Sequence, residues 1–414
     1  MKSTLIIISI FLSSLSTFAG GFDIPLQSIK IAGFGNAGSA FIEDASSLYF
    51  NPASISFLDQ KFNVTVGSQA LLPYFLYRND AQNITQYNKG SLVPLPHIYL
   101  SYKLNDKFSL GFSTNVNFGS SVDFGNEWYN NTVVTKMTLL AFYGTLHGSY
   151  KITKNFSVGA SAGLGFITAH LQRVFKEIPV EFNKNNPPTL TLSGNGFGYM
   201  LGAGLFFQSN DKTINASVAF KYFSNVKASN AQASLNNIDT SFQSSIPHGK
   251  ASTELYFPYE INFGIMKKIK KITIGLTGVI SDWTSFKTLT INFEDAPFKG
   301  TPNGKAYYDM NLNWSYQVGL GVGYELKKFK LRCGVSFNKS AANKNYLTPI
   351  LPLDDIITYT SGVSYYLSKK IDIDVNYLVS QGLSIKGGHD KLGLETATYK
   401  SLTNIFGVGI SYHL

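Results

Sequence analysis

From Lys61 to the end of the chain, apolar and polar residues alternate in long runs, and this alternation bounds the fold more tightly than any other feature. In the last run Leu402, Phe406, Val408, Ile410 and Tyr412 fall on one face, and Thr403, Gly407, Gly409 and Ser411 on the other. Ile371, Ile373, Val375, Tyr377 and Val379 alternate with Asp372, Asp374 and Asn376. Phe329, Leu331, Cys333, Val335 and Phe337 alternate with Lys330, Arg332, Gly334 and Ser336, and Tyr259, Ile261, Phe263 and Ile265 with Glu260, Asn262 and Gly264. Successive side chains on a strand point to opposite faces, so each run reads as a strand with one apolar and one polar face. A soluble sandwich would bury the apolar face. A membrane barrel turns it to lipid and keeps the polar face in the lumen.

Three observations favour the barrel. First, Lys2 precedes a short apolar core, Leu5 to Leu12, and the small-x-small site Thr17-Phe18-Ala19. This predicts a secretory signal peptide over residues 1–19, with Gly20 as the first mature residue. The apolar core is too short to span a bilayer, and no later window offers eighteen consecutive apolar residues. Second, the strands run to ten residues or more, which matches the roughly 9–11 a crossing strand needs. Third, connections alternate between short and long. Short turns fall near Asn105-Asp106, Thr153-Asn155, Ser209-Lys212, Lys267-Lys271, Lys327-Lys328 and Ser368-Lys370; long polar loops are expected over about 73–94, 119–135, 173–194, 227–254, 286–310, 339–354 and 381–400. Thirteen connections predict a 14-stranded antiparallel transmembrane β-barrel over residues 61–414, with both ends on the short-turn side.

Composition agrees with a lipid-facing surface: 14% of residues are charged, against 37 Gly, 24 Tyr and 32 Phe. The formal charge of +10 does not point to nucleic acid, because many lysines sit in the short turns. Tyr99, Trp283, Trp314, Tyr366 and Tyr412 lie near strand ends and are assigned to interfacial girdles. The single cysteine, Cys333, falls on an apolar face as a small lipid-facing hydrophobe and excludes an internal disulfide or a cysteine metal cluster.

Residues 20–60 break the repeat. They carry Gly33, Gly35, Ala37, Gly38, Ser39 and Ala40, then Glu43-Asp44-Ala45-Ser46-Ser47, with Phe34, Phe41, Leu48, Tyr49, Phe50, Ile55, Phe57 and Leu58 interspersed. About forty residues do not readily fold alone, and a fourteen-stranded lumen needs filling. The segment is therefore expected to fold inside the barrel as a plug.

Apparent catalytic motifs lack their context. Gly33-Phe34-Gly35-Asn36-Ala37-Gly38 has the spacing of a dinucleotide loop but no preceding long strand or following amphipathic helix. Gly159-Ala160-Ser161-Ala162-Gly163 reads as G-x-S-x-G but lies mid-strand, so its small residues mark a lumen face close to the plug. The six histidines show no metal-protease spacing. Neither an enzyme, nor a cofactor, nor a metal site is indicated.

Leu48-Tyr49-Phe50-Asn51-Pro52-Ala53, after an acidic small-residue stretch, resembles the hatch signature of the FadL-like outer-membrane transporters of long-chain fatty acids and aromatic hydrocarbons. Pro96-His97-Ile98-Tyr99-Leu100-Ser101-Tyr102, Asn105 to Gly111, Asn117-Phe118-Gly119, Ser281 to Phe286, Tyr316 to Gly321 and Leu351 to Asp355 are similar to later family motifs in order and spacing. The resemblance implies a monomeric bacterial outer-membrane barrel that takes up hydrophobic small molecules, fatty acids foremost. Ligand would enter between extracellular loops, occupy an apolar pocket and leave sideways into lipid beside a kinked third strand. In that scheme Asn51, Pro52 and Ala53 form the hatch and sit against the kink. The kink and exit are expected at Asn115, Asn117, Phe118 and Gly119, where asparagine and glycine also permit a bulge. Arg173 resembles a ligand-contacting arginine of the family, and Lys305 is nearest to a second family cation, although its offset from Tyr316 differs. Neutral hydrocarbons thus stay open as ligands beside carboxylates. A scaffold role in protein secretion is the alternative function; a hydrophilic porin is disfavoured by the plug.

Overall fold

A computed structural model describes residues 22–176, 187–238, 248–294, 304–389 and 392–414; the expected signal peptide and its cleavage site lie outside them. Fourteen antiparallel strands close into a barrel. They are β1 (Phe62–Asn79), β3 (Val93–Lys103), β4 (Phe108–Asp123), β5 (Lys136–Lys151), β6 (Phe156–Val174), β7 (Thr189–Gln208), β8 (Ile214–Phe223), β11 (Tyr259–Ile269), β12 (Ile272–Asp282), β15 (Trp314–Glu325), β16 (Phe329–Lys339), β17 (Ile356–Tyr366), β18 (Ile371–Gly382) and β20 (Leu394–His413). Each pairs with the next, and β1 closes on β20 from Asn63 opposite His413 to Arg78 opposite Thr398. Closure leaves no free edge strand, the condition for sheet in a bilayer, although the ladder between β3 and β4 is incomplete.

Burial along the strands is inverted relative to a soluble sheet. Leu164 and Phe197 are 75% and 76% exposed, and Phe406, Val408 and Ile410 are exposed on β20. The polar partners Asp374, Lys330, Arg332, Glu260, Asn262 and Ser411 are buried inside. Cys333 is exposed on the outer face. The girdle assignment needs correction at two positions: Tyr99 and Trp283 are completely buried. Tyr99 shares the inward parity of Leu95, His97 and Ser101 on β3, while Trp283 follows the end of β12 and packs inside. Trp314 is exposed as expected, and Tyr102, Tyr199, Tyr222 and Tyr324, not named in that assignment, are exposed too.

The six short turns stand where the sequence placed them, and local hydrogen bonds explain their tightness. In the turn between β7 and β8, Asp211 accepts from Ser209 Oγ at 2.5 Å and Thr213 Oγ1 at 2.8 Å. These bonds hold its carboxyl down to about 2. The long connections differ from expectation. Several are not loops but extensions of the sheet: β2 (Ile84–Tyr87) pairs with β1, β9 (Val226–Asn236) with β7 and β10 (Gly249–Leu255), β10 with β13 (Thr288–Phe293), β13 with β14 (Lys305–Asp309), and β19 (Ile385–His389) with β20. Beyond the lipid the apolar-polar contrast is no longer required, yet backbone N–H and C=O groups still need partners.

Residues 22–58 contribute no barrel strand; they form α1 (Ile29–Ala32), α2 (Ser47–Phe50) and a 3₁₀ helix over Pro52–Phe57. Their polar backbone groups are met by inward side chains of the strands. Asn376 Nδ2 donates to Ile29 O at 2.9 Å, Ser217 Oγ to Ser39 O at 2.6 Å, and Tyr99 Oη to Gln27 O at 2.6 Å. Gly35 lies so close to the wall that a Cβ would stand 2.2 Å from Leu320 O, and its φ is +67°. Close approach therefore accounts for this glycine, as it does for Gly159 on β6, where a Cβ would meet Ala53 N at 2.4 Å.

Candidate functional site: a break in the wall beside β4

Strand β4 pairs with β3 only as far as Ile98 opposite Thr114, although both strands continue. On its other side β4 stays paired with β5, but the register shifts between Val116 and Phe118, leaving Asn117 as an extra residue. This is a β-bulge, which bends the strand and increases its twist. Asn115 Nδ2 donates to Asn117 Oδ1 across it. Beyond Thr114 the backbone groups of β4 that face β3 find partners in the N-terminal segment. Ile24 N donates to Asn117 O at 3.0 Å, Gly119 N to Phe22 O at 2.9 Å, and Gln27 Nε2 to Val116 O at 2.6 Å. Phe118 turns inward, fully buried, with ring centroids 4.7 Å from Phe223, 4.8 Å from Phe257 and 5.8 Å from Trp283.

A cavity of about 210 Å³ lies behind this break. Its wall joins Val93 and Leu95 of β3, Gly119 and Ser121 of β4, and Ile24 and Leu26 of the N-terminal segment. Among the described residues no lysine or arginine lines it, while two carboxyls, Asp23 and Asp354, do. Asp354, in the connection before β17, accepts from Ser401 N and Oγ, each at 2.7 Å, and burial pushes its carboxyl up to about 6. A second cavity of about 80 Å³ stands toward the long-connection end. It is almost wholly apolar, with Phe22, Leu139, Leu171, Leu255, Leu289 and Ile291 in its wall. Phe22 thus belongs to the second cavity and the residues directly after it to the first.

Asn115, Asn117, Phe118 and Gly119 are all at the break. Asn51, Pro52 and Ala53 are not. Asn51 is completely buried; its Nδ2 donates to Leu205 O at 2.9 Å and Val218 O at 3.2 Å, and its Oδ1 caps Ala53 N at 2.9 Å. Ala53 O accepts from Ser149 Oγ at 3.0 Å and Ser157 Oγ at 2.8 Å. The tripeptide therefore anchors the segment to β5, β6, β7 and β8, and the expectation that it abuts the bulge is corrected. Phe22 to Gln27 take that place, because these residues offer the extended backbone that can complete the open ladder of β4. The sequence signal for them was weak, a short stretch before the first helix.

The two candidate cations lie elsewhere. Arg173 ends β6, opposite Leu190; its Nη1 donates to Thr132 O at 3.2 Å and its guanidinium covers the Phe175 ring. Lys305 opens β14, opposite Asn292. Neither lines either cavity. Among the described residues the buried cations are instead Lys30, Lys221, Lys330, Arg332 and Lys339. Lys30 Nζ stands 3.1 Å from Asp44 and 2.9 Å from Asp372, and Arg332 Nη2 is 2.5 Å from Glu43 Oε2, with Lys330 on the other oxygen. These pairs join the N-terminal segment to β16 and β18. Alternation identified the strand members of these pairs as inward-facing but could not reveal their partners.

Comparison with known proteins agrees with this architecture. Outer membrane protein P1 of Haemophilus influenzae is 23% identical, over 98% of this chain and 98% of its own length. The long-chain fatty acid transport protein of Escherichia coli is 21% identical, over 92% of this chain and 91% of its own. A FadL homologue of Pseudomonas aeruginosa has the same fold, with a TM-score of 0.79 at 16% identity, covering 95% of this chain and 100% of that one. The family model for outer membrane protein transport protein (OMPP1/FadL/TodX) matches residues 10–414. The barrel is thus an outer-membrane transport protein rather than an enzyme, and the chain belongs to the OMPP1/FadL/TodX family of hydrophobic-compound transporters.

Proposed function

We propose that the chain is a monomeric, passive channel in which residues 20–60 act as a hatch and hydrophobic compounds leave sideways through the break between β3 and β4. The observation that carries this reading is the ladder ending at Ile98 and Thr114 with a cavity directly behind it. Ligand would enter between the long connections, pass the apolar cavity at Phe22 and reach the cavity behind the bulge. Physical cost favours this route. Moving one CH₂ from an apolar site to water costs about 0.8 kcal/mol, so a sixteen-carbon chain would lose on the order of 10 kcal/mol on release to the periplasm. Release into the outer-membrane lipid avoids most of that. In this reading Phe22 to Gln27 close the exit, and Asn51, Pro52 and Ala53 hold the hatch in place.

The ligand class has two branches. Long-chain fatty acids have the support of the Escherichia coli relative, with Arg173 and Lys305 as candidate carboxylate partners near the entrance. Neutral hydrophobic compounds have the support of the cavity itself, whose lining contains carboxyls and no cation. No observation favours the secretion-scaffold alternative. Deleting Asn117 would restore the β4–β5 register and draw β4 toward β3. Uptake of a radiolabelled long-chain compound by cells expressing this variant is expected to fall about tenfold or more relative to wild type, with the folded barrel at normal abundance. Wild-type uptake by the folded variant would sink the lateral-exit reading.

A further inference from the structure

A smaller chamber adjoins the cavity behind the bulge. Its volume is about 50 Å³, and Asn36, Asn117, Lys221, Glu260 and Asn262 are in its wall. The two spaces share Asp23, Ile24, Pro25, Asn36, Gln317 and Asn338. The chamber has room for a few water-sized groups, and so for a polar head but not a chain.

Its charges leave no cation to spare. Lys221 Nζ lies 3.6 Å from Glu260 Oε2 and 3.6 Å from the centre of the Tyr49 ring. Asp23 adds a second carboxyl, whose Oδ2 accepts from Trp283 Nε1 at 3.3 Å. Burial and the neighbouring Glu260 hold the Asp23 carboxyl well above the usual carboxylate range, and Glu260 already pairs the Lys221 ammonium, so an entering carboxylate would find no unpaired cation there in a water-poor wall.

Two amides have open valences. Asn36 and Asn262 are 2% and 3% exposed, yet Asn36 Oδ1 and Asn262 Nδ2 have no hydrogen-bond partner. One is an acceptor and the other a donor, and leaving both unmade in a buried wall is costly. A hydroxyl carries both the donor and the acceptor that these two open valences lack. We propose that this chamber is a head-group site for neutral, hydroxyl-bearing hydrophobic compounds. The tail lies in the larger cavity toward the break, and the site favours alcohols over both the bare hydrocarbon and the carboxylate. This inference rests on the transport reading above and names its substrate class.

The test titrates the folded mature barrel in detergent with 1-decanol, decane and decanoate at pH 7.5, followed by tryptophan fluorescence, since Trp283 touches Asp23. Decanol is expected to bind about tenfold tighter than either of the others, the loss of one buried hydrogen bond being worth about a factor of ten. Asn262→Leu is expected to bring the decanol-to-decane ratio close to one. Equal binding of decanol and decane by the wild type would overturn the head-group site while leaving the transport reading intact. Tightest binding of decanoate would overturn it too and make Lys221 an anion partner. Binding of none of the three would overturn both readings. The wild-type ratio needs no variant, so it decides the matter even if Asn262→Leu fails to fold.

Discussion

Lys30 illustrates how much of this molecule is set at the level of single buried residues. It is 3% exposed and faces Asp44, Asp372 and, at 3.7 Å, Asp374. His413 Nε2 reaches Asp372 at 3.0 Å, and Ser411 Oγ donates to Asp44 at 3.2 Å. Burying such a group is expensive unless its partners are in place, and removing one partner leaves the others uncompensated. Lys30→Met is therefore expected to weaken docking of the N-terminal segment by about 3–5 kcal/mol, the range for breaking a buried ion pair. Limited proteolysis of the folded barrel would read this as faster cleavage between residues 22 and 58; an unchanged cleavage rate would show that the pairs are dispensable. That Lys30 would be buried was not legible beforehand, because its neighbours in sequence carry no strand pattern. Asp372 and Asp374 were legible as inward-facing, since alternation alone places them.

At the level of elements, β4 and the residues that complete it are the decisive pair. The expectation of a kink around Asn115, Asn117 and Gly119 rests on residue types that permit irregular backbone, and the β4–β5 register shifts at Asn117. The partner of this stretch was not foreseen. Phe22 to Gln27 supply Phe22 O, Ile24 N and the Gln27 amide to groups of β4 that β3 leaves open. Removing residues 20–27 should leave the β4–β5 ladder intact but uncover the break. The expected result is entry of a hydrophobic fluorescent dye into cells at least several-fold faster than in wild type, with the same amount of folded barrel. No increase would mean that another element closes the wall. The long connections teach a related lesson. Sequence polarity marked them as loops, whereas β9, β10, β13 and β14 continue the sheet, because hydrogen bonding there is independent of the lipid pattern.

For the whole molecule, the fourteen-strand ladder closes on itself without help from residues 22–58. Closure satisfies the strand backbone except at the break beside β4, and the outward apolar face meets lipid, so the barrel has its own source of stability. A chain lacking residues 20–60 of the mature protein should still fold, migrating on unheated gels as a compact band that shifts on boiling. It should also conduct ions in planar bilayers far more than wild type, because the polar lumen wall, with Arg332, Lys330, Glu260 and Asp374, would fill with water. A chain that fails to fold would assign the N-terminal segment a part in assembling the wall.

The sequence by itself determined the strand number, the inward and outward faces, the short turns and the family. The first three follow from local alternation and local turn chemistry, which a chain carries wherever it folds, and the family from a resemblance in the order and spacing of motifs. Only the tertiary structure decided that Phe22 to Gln27 and not Asn51-Pro52-Ala53 meet the bulge, that Trp283 packs inside, and that Lys221 and not Arg173 or Lys305 stands beside the inner cavity. The physical reason is that these placements depend on which distant segment satisfies an open backbone ladder or a buried charge. Such matches are settled by barrel closure and register between residues hundreds of positions apart, and no local pattern encodes them.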